Sequence, residues 1–189
     1  MARTRSAAAH EKVLEAAIRL IGDRGIEGTS MDSIAAASGV SKATVYKHWK
    51  DKDALCIDVV NRLRVAPPEF RSGDPRRDLV DLLTHVANAN KPGRLLKILP
   101  RIIGYAAANP KFGRAFRKSS VGPTEAQVIR ILNDAIATGA LTQETDTDVA
   151  MSLLFGPILH RKLMGGKVPP KLPEQVVDSF WRNWGSTGH

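Results

Sequence analysis

Residues 29–55, TSMDSIAAASGVSKATVYKHWKDKDAL, set two short helical patterns on either side of Gly39. Two helices joined by a short glycine-containing turn form a helix-turn-helix, whose second helix enters the major groove of DNA while the first crosses the backbone. Ile34, Ala35, Val40, Val45 and Trp49 can share an inner face. Ser41, Lys42, Thr44, Tyr46, Lys47 and His48 crowd the solvent side.

The flanking sequence completes a small helical unit. From Glu11, apolar residues Leu14, Ala17, Ile18 and Ile21 recur at helical spacing, and Gly22 and Gly25 weaken and end that helix. Thr29 and Asp32 are expected to cap a second helix over about residues 30–38. Gly39-Val40 makes the turn, Ser41 caps a third helix and Trp49-Lys50 closes it. Asp51 then caps a fourth through Leu55, Ile57, Val59, Val60 and Leu63. Lys42, Ala43, Thr44 and Lys47 are the expected base readers, lysine toward guanine, alanine and the threonine methyl toward thymine methyls. Phosphates are expected at the third helix's N-terminus, at the cap Thr29-Ser30, and at Tyr46, Lys47, His48 and Lys52.

Charge alone does not make this argument. The net charge is +9 and the pI near 10, which favours an anionic partner. Residues 1–65, however, carry 11 Lys/Arg against 8 Asp/Glu, a surplus of three, and the remainder carries 17 against 11, a surplus of six. Local placement has to carry specificity. The lone cysteine, Cys56, excludes an internal disulfide framework and reads as a small buried hydrophobe. No apolar run approaches the ~20 residues that span a bilayer, and MARTRSAAAHEK has no apolar signal core, so a cytoplasmic location is expected.

The stretch GTSMDSIAAASGVSKATVYKHWKDKDALCIDVV resembles the DNA-binding region of TetR/AcrR-type transcriptional regulators. VLEAAIRLIGDRGIEGTS resembles that family's first helix and its exit, so the match covers about residues 11–60. The resemblance implies an all-α chain: a three-helix reading head, a linking fourth helix, and a helical C-terminal domain for effector binding and dimerisation. It likewise implies that Lys42, Ala43, Thr44 and Lys47 face bases and that Tyr46, His48 and Lys52 approach phosphates. Ile26 stands where an aromatic is common, Gly22 where alanine is usual, and Trp49 where phenylalanine often appears; all three concern packing.

The expected organisation is a mobile basic arm at 1–10, the DNA-binding head with its linking helix at 11–65, a linker or ordered loop at 66–75, and a helical domain at 76–189. Helices are expected at about 76–90, 92–108, 110–120, 123–138, 147–164 and 173–184, with Gly122-Pro123 marking either a break or a kink. Leu99, Ile103, Tyr105, Phe116 and Ile129 can line an apolar effector pocket; the same side chains would serve equally as domain core. Between Thr84 and Thr124 there is no acid, yet eight basic residues run from Lys91 to Lys118. They suit an anionic effector, a field toward DNA, or simply a solvated face. Leu153, Phe155, Gly156, Leu159, Val177, Phe180, Trp181 and Trp184, on the last two helices, are expected to form a dimer seam, setting two recognition helices about 34–36 Å apart on a palindromic operator.

An enzyme is the main competing class. His10 and His189 lie near the termini and His48 lies on the reading helix, which leaves His85 and His160; Asp81 and His85 share a helical face, but no motif supplies a nucleophile or third ligand with them, and HExxH, P-loop and dinucleotide fingerprints are missing. No catalytic residue, cofactor or metal is expected. The residues thus point to a homodimeric repressor released from double-stranded operator DNA by a small, largely apolar effector. An activator, or a DNA binder without an effector, is the alternative.

Overall fold

A computed structural model of the chain describes residues 2–88 and 93–186; Asn90, Lys91, Pro92 and His189, named above, lie outside them. Its helices in chain order are α1 (Ala2–Arg24), α2 (Met31–Ser38), α3 (Lys42–His48), α4 (Lys52–Leu63), α5 (Pro75–Asn88), α6 (Arg94–Ala108), α7 (Pro110–Phe116), α8 (Gly122–Ala137), α9 (Thr147–Leu163) and α10 (Leu172–Trp184). The segment expected as an arm is helical backbone from Ala2, continuous with α1. The open question at Gly122-Pro123 resolves into continuous helical backbone, in which a π-helical turn, Arg117–Val121, separates α7 from α8. Among the described residues the β content is one isolated bridge, Leu141 with Gly185.

Two compact units divide the chain, and their boundary differs from the one expected. The first joins residues up to Val65 with α6 and α7 through Ser120; the second holds the loop after Val65, α5 and everything from Val121. The reason is burial. On α6, Leu95, Ile98 and Ile102 recur at helical spacing and are buried, with Phe112 of α7, in the same core as Leu14, Ile21, Ile34, Val45, Leu55 and Val59. Glu15 of α1 accepts from both arms of the Arg94 guanidinium on α6, one at 3.0 Å. The Tyr105 hydroxyl donates to Asp53 of α4 at 3.0 Å.

In the second unit Leu79, Leu82 and Leu83 of α5 pack with Val128, Ile131 and Leu132 of α8, Leu154 and Ile158 of α9, and Val177 and Phe180 of α10. The stretch 66–74 is an ordered loop, because buried Asp78 accepts the Ser72 N–H at 2.9 Å and Arg130 donates to the Phe70 carbonyl at 2.7 Å.

Cys56 is fully buried on α4, and desolvation pushes its thiol up to about 12. A thiolate is the reactive form, so the folded chain keeps this sulfur inert. A thiol reagent at pH 8 is expected to modify Cys56 only after denaturant unfolds the protein; stoichiometric reaction under native conditions would contradict this burial.

Candidate nucleic-acid interface

Local chemistry fixes α2 and α3 independently at each end. Ser30 caps α2: its hydroxyl accepts the Ser33 N–H at 3.1 Å, and the Ser33 hydroxyl accepts the Ser30 N–H at 3.0 Å. This reciprocal pair replaces the expected Thr29–Asp32 cap. Thr29 is buried instead, its hydroxyl donating to the Gly25 carbonyl at 2.7 Å, which withdraws it from the phosphate-binding set. Gly39 ends α2 at φ +67°, a left-handed conformation that costs other residues about 1–2 kcal/mol. Ser41 caps α3 by accepting the Thr44 N–H at 3.2 Å, and Asp51 caps α4 by accepting the Ala54 N–H at 2.8 Å. At the start of α3, one of the expected phosphate positions, the Ser41 hydroxyl therefore already holds the Thr44 N–H.

The two faces of α3 separate as the spacing requires. Val45 is fully buried, with Ile34 and Ala35 of α2 in the same core, while Ser41, Lys42, Ala43, Tyr46, Lys47 and His48 are exposed and Thr44 is half-exposed. Tyr46 is 50% exposed, so its ring and hydroxyl are open to a partner on the solvent side of α3. The Lys42 ammonium meets the Asp32 carboxylate of α2 at 2.7 Å, and that hydrogen bond raises the lysine above its ordinary value. The Lys52 ammonium donates to the Ile26 carbonyl at 2.7 Å, so one of its three donors ties α4 to the exit of α1.

Trp49 seats the far end of α3. It is buried, and its indole N–H donates to Asp58 of α4 at 3.0 Å. The His10 ring of α1 stacks on it at 4.6 Å, with Nε2 3.2 Å from the same Asp58 oxygen; His48 meets His10 edge-on at 5.6 Å. Sequence spacing could not show His10 or Asp58 there, because His10 is 39 positions from Trp49 and its role depends on how α1 packs.

The C-terminal expectations divide. Tyr105 and Phe116 pack against the first unit's core in a ladder with Phe112, at ring separations of 4.9 and 6.0 Å, so they act as core rather than pocket lining. Leu99 and Ile103 are half-buried on α6, and Ile129 is exposed in the other unit. A hollow of about 360 Å³ between α1 and α6 is lined by Glu15, Arg19, Asp23, Arg94 and Lys97 with Ile18, Gly22 and Ile98. That charged lining does not match an apolar effector. Val177 and Phe180 are buried in their own unit's core, which removes them from the expected dimer seam, and Phe155, Trp181 and Trp184 pack against that core. Leu153, Gly156 and Leu159 are exposed on α9.

Replacing Trp49 with Phe keeps the ring but removes its N–H, leaving Asp58 short of one partner. Urea unfolding is expected to show a loss of about 1 kcal/mol; unchanged stability would assign the bond no net worth.

Known proteins match the chain along most of its length. The family model described as tetracyclin repressor-like, C-terminal domain, covers residues 71–180, and that of bacterial regulatory proteins, tetR family, covers residues 13–59. The HTH-type transcriptional regulator YdeS of Bacillus subtilis is 29% identical over 183 residues, covering 96% of this chain and 88% of its own. The HTH-type transcriptional regulator AqdR of Rhodococcus erythropolis is 27% identical over 183 residues, with coverages of 93% and 85%. A solved TetR family transcription regulator from Marinobacter aquaeolei superimposes with a TM-score of 0.68 at 22% identity, covering 97% of this chain and 98% of that one, a likeness of fold. The exposed reading face of α3 and these matches together make the chain a DNA-binding transcriptional regulator that belongs to the TetR family.

Proposed function

We propose that the protein is a homodimeric repressor, acting in the cytoplasm, that holds a palindromic operator through α3 of each subunit and leaves it when a small, largely apolar effector binds. The observation that carries the DNA half of this reading is the face of α3, where Lys42, Ala43, Tyr46, Lys47 and His48 are exposed around a fully buried Val45. Lys42, Ala43, Thr44 and Lys47 read base edges, and Ser30, Ser41, Tyr46, His48 and the remaining donors of Lys52 position the head on phosphates.

Support for the dimer comes from α9. Val149, Leu153 and Leu159 are 47%, 43% and 40% exposed, and Gly156 lies exposed among them. Helical spacing sets these residues along one stripe, and a glycine in such a stripe lets a second helix approach closely. Ile129 of α8 adds to the exposed apolar surface of the same unit. An exposed apolar stripe on a soluble regulator is accounted for by a second copy.

For the effector, the supporting feature is the half-buried stripe Leu96, Leu99 and Ile103 on α6. The same helix is tied to α1 through Arg94–Glu15 and to α4 through Tyr105–Asp53. A ligand that favours a displaced α6 would therefore move the supports of the reading head, and its differential affinity for the two states sets the response. An activator would share all of this except the sign of the transcriptional effect; loss of operator binding with ligand separates a regulated repressor from an effector-independent binder.

Selection from random duplexes is expected to return a palindrome whose half-sites are centred about 10 base pairs apart or a multiple of that. Changing Lys47 to Gln should relax the base preference at one position of each half-site; a protein that selects no sequence would overturn the proposal. Leu153→Asp places a charge on the α9 stripe without entering the core. It is expected to sediment as a monomer and to bind operator about tenfold or more weakly, and an intact dimer of unchanged affinity would exclude this seam.

A further inference from the structure

Asp32 is the one carboxylate of residues 29–58 whose observed partner is a residue of the expected reading set. The other three are engaged within the unit: Asp51 accepts the Ala54 N–H, Asp53 the Tyr105 hydroxyl, and Asp58 the Trp49 indole. Asp32 pairs across the turn with Lys42 at 2.7 Å, and both side chains are more than half exposed, 56% and 64%. An anion on a surface that approaches phosphates is repelled, so its presence there calls for a donor. Both side chains therefore stay accessible to a further partner while they remain paired.

We infer that Asp32 and Lys42 act together to read one guanine·cytosine pair in each half-site, Lys42 on the guanine edge and Asp32 on the cytosine amino group. This rests on the reading that α3 enters the major groove. Guanine presents two adjacent acceptors, N7 and O6, and cytosine's N4 amino donor lies beside them. Guanine O6 and cytosine N4 are themselves hydrogen-bonded, about 2.9 Å apart, so an ammonium and a carboxylate at 2.7 Å match the edge in spacing and in sign. Adenine·thymine also offers an amino donor, but its acceptors flank that donor singly and leave lysine one contact instead of two. Asp32 is thereby a specificity-determining residue on α2, outside the helix that supplies the other base readers.

Duplex selection with the full chain tests the pair. The wild type is expected to fix G·C at one position of each half-site. Asp32→Ala should reduce discrimination for cytosine there about tenfold per half-site, with preferences at other positions unchanged. Lys42→Gln should relax the guanine at the same position, which gives a second reading should Asp32→Ala fail to fold. Identical base preferences in wild type and Asp32→Ala, with affinity rising evenly on every sequence, would mean that Asp32 only tempers the charge of Lys42 and would overturn the inference. Relaxation at a position other than G·C also overturns it. A wild type that selects nothing overturns the DNA reading beneath it, a result distinct from either of these.

Discussion

A helix of seven residues has no stability of its own in water, since nucleation costs more than two turns return. Everything the reading face does therefore depends on the burial of Val45 and Trp49. Val45 sits in a core shared with α1, α2 and α4, and Trp49 is held through Asp58 of α4 and His10 of α1. The orientation of α3 is thus imposed by its neighbours. Its exposed residues are free to be chosen for chemistry, because packing constrains only the other side.

The legible parts of this structure were those set by chemistry close in sequence. Ser41 and Asp51 cap as their positions suggested, Gly39 takes the left-handed turn, and the apolar periods of α1 and α4 are the buried ones, save Ile57, which is half-buried. Even nearby competition produced an error: Thr29 and Ser30 are adjacent hydroxyl residues, and which one caps α2 depends on the exit from α1, where the Gly25 carbonyl claims Thr29. The long-range ties were hidden. Arg94 and Glu15 are 79 residues apart, and nothing in either sequence neighbourhood announces the pair. The acid-free run that ends at Lys118 illustrates the difficulty, since the acid for Arg94 comes from α1.

For the candidate interface, sequence identified which residues face out but not which are already occupied. Lys42 was expected at bases and Lys52 at phosphates, yet one already faces a carboxylate on α2 and the other a carbonyl at the exit of α1. In the C-terminal half, apolar residues looked interchangeable between core, pocket and seam. Composition cannot separate these uses; exposure does, leaving Leu153 outside and Val177 within.

The first unit is discontinuous in sequence, and this bears on how such a regulator can be made and recombined. A ribosome that has released residues 1–65 has released the whole helix-turn-helix but not the partners of its core, for Leu95, Ile98, Ile102 and Phe112 follow later. Each of those side chains is worth about 1.5–3 kcal/mol when buried. The reading head therefore matures only after α5 has been synthesised through it, as an insertion belonging to the other unit. Grafting this head onto a foreign sensor at residue 65 would leave an apolar surface uncovered, and a working chimera would have to carry α6 and α7 with it.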